Sequence, residues 1–164
     1  GQKGDAPPGS GPSEAQATKM KMLWDDDFLY IAAVIDLAEG DELVAKFKER
    51  NSPIFHTDSD FEVFLDPSGC CHGYKELEMN ALNTVWNLML DRPYSDGGTE
   101  FGGRVAKEGE PLYWEVQSQK TAVRITKGSL SNPAQPSQWC CEIALAHTDS
   151  LSKLPRAGPR PAEG

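Results

Sequence analysis

Seven consecutive residues, Tyr74-Lys75-Glu76-Leu77-Glu78-Met79-Asn80, alternate strictly in character. Successive side chains on a β-strand point to opposite faces, so this spacing demands a strand with two unlike sides. Tyr74, Glu76, Glu78 and Asn80 fall on one side; Lys75, Leu77 and Met79 fall on the other. The first side offers an aromatic ring, two carboxylates and a carboxamide. Carboxylates and amides pair with adjacent hydroxyls, and a ring covers the apolar C–H face of a sugar, so this side suits a polyhydroxylated ligand. A strand on a solvated sheet face shows the same alternation.

The rest of the chain reads as strands with turn punctuation. Lys19–Trp24 and Phe28–Ile35 flank an Asp25-Asp26-Asp27 turn and predict a hairpin. Asp60–Asp66 predicts a strand closed by Asp66-Pro67-Ser68-Gly69. Tyr74–Asn80 and Thr84–Leu90 predict a second hairpin around Ala81-Leu82-Asn83. Lys120–Thr126 and Trp139–Ala146 supply the last two strands. Asp41–Arg50, ended by Asn51-Ser52-Pro53, is the one helical candidate. Asp91–Gly109 is a Gly-rich, charged loop that carries Tyr94 and Phe101. Many short strands with one short helix predict an all-β fold, an antiparallel β-sandwich of jelly-roll-like character.

Half of the 12 prolines lie near the two ends, at Pro7, Pro8, Pro12, Pro155, Pro159 and Pro161. Such Gly/Pro/Ser-rich stretches bury too little apolar area to offset the entropy of ordering. Residues 1–17 and 152–164 are therefore expected as disordered tails around a folded unit at 18–151. That unit is one ordinary domain within the 164 residues. Gly1 opens the chain without an apolar stretch, so no signal peptide is visible.

A net charge of -9 argues against nucleic-acid binding and against docking on anionic membranes. Cysteine comes as two adjacent pairs, Cys70-Cys71 in a turn and Cys140-Cys141 in a strand. Neither pair has zinc or redox spacing. A bridge between the pairs and the redox compartment both stay open, with an extracellular setting preferred. His56, His72 and His147 lack H-E-x-x-H spacing, and the chain shows no G-x-S-x-G or phosphate-binding loop. Glu76 and Glu78 stand about 6.6 Å apart along one strand. Two carboxylates side by side on a strand do not readily flank a glycosidic bond, so no catalysis is expected.

Four blocks in register carry a family resemblance. They are Lys21-Met22-Leu23-Trp24-Asp25-Asp26 with Leu29-Tyr30; Ile54-Phe55-His56 leading into Asp60-Phe61-Glu62-Val63-Phe64-Leu65-Asp66-Pro67; Tyr74, Glu76, Glu78, Asn80-Ala81 and Trp86; and Trp139 with Glu142-Ile143-Ala144-Leu145. Over Lys19 to His147 the chain resembles the family 9 carbohydrate-binding modules and their family-9-like branch. The resemblance implies a β-sandwich that binds carbohydrate, is associated with glycoside hydrolases and polysaccharide catabolism, and carries calcium. Glu62, Tyr74, Glu76, Glu78, Asn80 and Trp86 are the expected sugar-binding residues. Asp58 and Asp60 are the expected calcium ligands, because calcium takes several hard oxygens from flexible loops. The family's strand before the first block and its strands after the last are replaced here by Pro-rich segments. That departure implies open sheet edges that invite a protein partner. The alternative function is a structural or protein-interaction sandwich that has lost sugar binding.

Overall fold

The computed structural model describes residues 17–38, 41–98, 100–101, 114–116, 118–128 and 138–150. The tails expected over 1–17 and 152–164 lie outside the described residues, apart from Ala17, whose carbonyl accepts the Asp36 N–H. Among the described residues, eight strands form in chain order: β1 (Thr18–Trp24), β2 (Phe28–Asp36), β3 (Asp60–Leu65), β4 (Tyr74–Asn80), β5 (Val85–Leu90), β6 (Glu100–Phe101), β7 (Lys120–Lys127) and β8 (Gln138–Ala146). A single turn of helix, α1 (His147–Ser150), follows β8. The strands make two antiparallel four-stranded sheets, ordered β1-β2-β8-β7 and β3-β4-β5-β6.

The sheets pack face to face as an antiparallel β-sandwich. Ile31, Ala33, Trp139, Ile143 and Leu145 of the first sheet meet Val63, Leu77, Met79, Val85 and Met89 of the second in one core. Trp114 completes that core from the segment before β7. Lys75 joins Leu77 and Met79 on the inner side, with its Nζ 5.7 Å from the centroid of the Trp114 ring. All four cysteines are free thiols. Cys141 faces the core, where burial pushes its thiol up to about 11, and Cys140 is half-buried on the other side.

The turns follow from their polar residues. Asp25 Oδ1 accepts the N–H groups of Asp27 (2.9 Å) and Phe28 (2.8 Å), closing the β1–β2 hairpin. Those backbone donors, Phe28 first, hold its carboxyl below the usual carboxylate range. Asp66 Oδ2 accepts the Cys71 N–H at 2.7 Å and organises the β3–β4 turn. Gly69 in that turn has φ +64°, a conformation that favours glycine.

The helix expected over Asp41–Arg50 does not form. Its backbone groups are taken by the segment before β3. Val44 N–H donates to Ser59 Oγ (3.0 Å), and Val44 carbonyl accepts the Ser59 N–H (2.6 Å). Lys46 and Phe47 N–H donate to Asp58 Oδ2. Leu43 and Ala45 then reach the main core while Phe47 reaches a second apolar cluster. Tertiary partners thus override a weak helical propensity.

Candidate functional site

The register of the second sheet collects all six expected sugar-binding residues on its outer face. Glu62 of β3 stands opposite Glu78 of β4, and Glu78 stands opposite Trp86 of β5. Asp60 pairs with Asn80, Phe64 with Glu76, Glu76 with Leu88, and Tyr74 with Leu90. The face is neither solvated nor open along its length. The short 3-10 turn Ile54–His56 folds over β5, and Ile54 joins Trp86, Leu88 and Leu90 in a cluster flanked by Phe47, Phe55 and Tyr74.

That cover corrects three expectations. Trp86 is 1% exposed, with its ring centroid 4.9 Å from that of Phe55, so it is a packing residue rather than a sugar platform. Asn80 spends its whole amide on the chain. Its Nδ2 donates to Phe47 carbonyl (3.0 Å) and Asp58 Oδ2 (2.8 Å). Its Oδ1 accepts the N–H groups of Leu82 (3.0 Å) and Thr84 (2.9 Å), so it builds the β4–β5 turn. Asp58 accepts from Lys46 N–H, Phe47 N–H and Asn80 on one oxygen and so pins the long β2–β3 connection. It is not placed as a partner to Asp60 around a metal.

What remains open is the β3 side of the face. Glu62 is exposed, Phe64 is 53% exposed, and Tyr74 is half-buried. The Phe64 and Tyr74 rings lie 6.4 Å apart at 43°. They border a hollow of about 220 Å³ whose wall also includes Leu65, Asp66 and Pro93. Phe64 was within reach of the sequence, because it shares the parity of Asp60 and Glu62; only the edge position of β3 shows that it is exposed.

Beside the rings lies a cluster of acids. Carboxylate oxygens of Asp60, Glu62 and Glu78 come within 4.8 Å of one another. Glu76 and Glu78 are near neighbours on this face, and a hydrogen bond between two carboxyls requires a proton on one of them. Burial, then Glu76 and the neighbouring Glu62, push Glu78 up to about 9. Burial, then Glu62, push Asp60 up to about 6. Glu78 is 2% exposed, and its Oε2, like Asp60 Oδ2, is buried without a hydrogen-bond partner among the described residues. Clustered carboxylate oxygens are the hard donors that calcium takes, and here they come from Asp60, Glu62 and Glu78 rather than from Asp58.

Away from this face, Glu115 ties the core-side strand β5 to the loop before β7. It accepts from Asn87 Nδ2 (2.9 Å) and Asn51 Nδ2 (3.0 Å) and forms an ion pair with Arg50. No sequence pattern announces this brace, since its members lie far apart in the chain. Tyr94 is exposed in its loop, while the side chain of Phe101 lies outside the described residues. Comparison with protein-family models, curated proteins and solved structures finds no match.

Proposed function

We propose that this chain is a non-catalytic carbohydrate-binding module that holds a terminal sugar on the open edge of the second sheet. The observation that carries this reading is the exposed Phe64–Tyr74 ring pair beside Glu62, bordering a hollow with an apolar wall. The sugar's C–H face covers the rings, and Glu62 accepts from its hydroxyls. Calcium held by Asp60, Glu62 and Glu78 supplies charge that these crowded carboxyls lack. Glu76 and Glu78 act on each other rather than across a scissile bond, in keeping with a binding module appended to a polysaccharide-degrading enzyme.

A glycan-array screen, run with calcium and with a chelator, tests this reading. Binding is expected, weakened about tenfold or more by Phe64→Ala and by Glu62→Gln, each side chain supplying roughly 1–3 kcal/mol. Silence across the array, or binding indifferent to both substitutions, rejects it.

The second reading, a protein-interaction sandwich, draws on β1. This strand borders the first sheet, and its inner row of Met20, Met22 and Trp24 is 50%, 43% and 43% exposed. An edge strand with an uncovered apolar row is a template for pairing. A silent array combined with concentration-dependent sedimentation would favour this second reading.

A further inference from the structure

The outer face of the first sheet holds a groove of about 530 Å³, on the side of the sandwich opposite the ring pair. Its floor is made of small side chains: Ala32 of β2, Ala144 of β8 and Ala122 of β7 lie in adjoining register positions. Lys21 of β1 borders one side and Lys120 of β7 the other. Lys19 and Arg124 extend the same two borders along the face, because they flank Val34 and Cys140 in one row of the sheet. Four cations thus surround a lane whose floor carries the Glu142 carboxylate, with the Asp25 carboxylate at its Tyr30 end. None of the four forms an ion pair with a carboxylate among the described residues.

Tyr30 stands in the same lane, 39% exposed, and its hydroxyl donates to Asp25 Oδ2 at 2.8 Å. The ring is therefore held in place before any ligand arrives, which lowers the entropy cost of binding. At its far end Lys120 Nζ is positioned 5.2 Å from the centroid of the Phe28 ring.

We infer that this groove is a second binding site, for an extended oligosaccharide that bears carboxylate or sulfate groups. The two cationic borders are three strand spacings apart, about 14 Å. One small anion cannot reach both, whereas a chain of sugar rings with charges at intervals can. The alanine lane and the fixed Tyr30 ring accommodate flat sugar rings, which an acidic peptide lacks. Concentrated positive charge on an otherwise acidic protein draws the anionic ligand to this face and away from the rest.

The 164-residue chain is titrated by calorimetry with hexagalacturonate, a heparin hexasaccharide, neutral cellohexaose and a hexaglutamate peptide. One or both anionic sugars are expected to bind, with affinity that falls as salt is raised. Exchanging Lys21→Gln together with Lys120→Gln should weaken that binding about tenfold or more, since these exposed side chains supply the attraction. Glu142→Gln should tighten it. Phe64→Ala should leave it unchanged, which separates this groove from the ring pair on the other sheet. Absence of binding by both anionic sugars, equal binding of hexaglutamate, or indifference to the double lysine exchange would overturn the inference.

Discussion

Asn80 and Phe64 sit on the same face and make opposite demands on a substitution. Asn80→Ala removes four hydrogen bonds and strands the Leu82 and Thr84 N–H groups in the β4–β5 turn. It should cost at least about 1–3 kcal/mol in urea unfolding, the penalty for one unpaired buried group. Trp86→Ala opens a cavity beneath Phe55 and should cost roughly 3–5 kcal/mol. Phe64→Ala, at an exposed edge position, should stay within about 0.5 kcal/mol of the parent while its sugar affinity drops. If Asn80→Ala unfolds at the parent's urea midpoint, its amide is not the turn's anchor. Alternation alone cannot make these distinctions. It places Asn80, Glu78, Trp86 and Phe64 on one face, and the depth of each depends on what folds over that face.

At the scale of elements, the strands other than β6 were legible; β6 (Glu100–Phe101), inside the stretch read as a loop, and the long connection were not. Both hairpins carry their own turn chemistry, in Asp25 and in Asn80 with Asn83, so local sequence suffices to define them. Residues 41–50 draw their structure from Asp58 and Ser59, and no local pattern reveals such distant partners. The same distance hid the acidic cluster: Asp58 and Asp60 are near in sequence, but Asp60 meets Glu62 and Glu78 through sheet register. Two outcomes follow. Asp58→Asn should speed amide hydrogen exchange at Lys46 and Phe47 ahead of the strands, because their acceptor is weakened. It should leave any calcium-dependent rise in melting temperature intact, whereas Glu62→Gln or Glu78→Gln should abolish it. Loss of the calcium effect in Asp58→Asn alone would return the metal to the Asp58–Asp60 pair.

For the whole molecule, the acid cluster sets the direction of the pH response. Unfolded carboxyls titrate near about 4. Folded, Asp60 titrates at about 6 and Glu78 at about 9. Between those limits the folded state binds more protons than the unfolded one, so this contribution to stability falls as pH rises. In chelator, the melting temperature should decline from pH 5 to pH 8 through these two groups. Glu78→Gln, which cannot lose a proton, should flatten that decline, and millimolar-range calcium should oppose it. A decline that is equally steep in Glu78→Gln would show that other groups govern the pH response. The edge position of β1 among the described residues has a spectroscopic consequence as well. Of the four tryptophans, Trp86, Trp114 and Trp139 are at most 1% exposed, while Trp24 is 43% exposed. Acrylamide should therefore quench one long-wavelength emitter and leave three blue-shifted ones nearly untouched. The quenchable fraction of the fluorescence becomes a built-in reporter for anything that covers the end of β1.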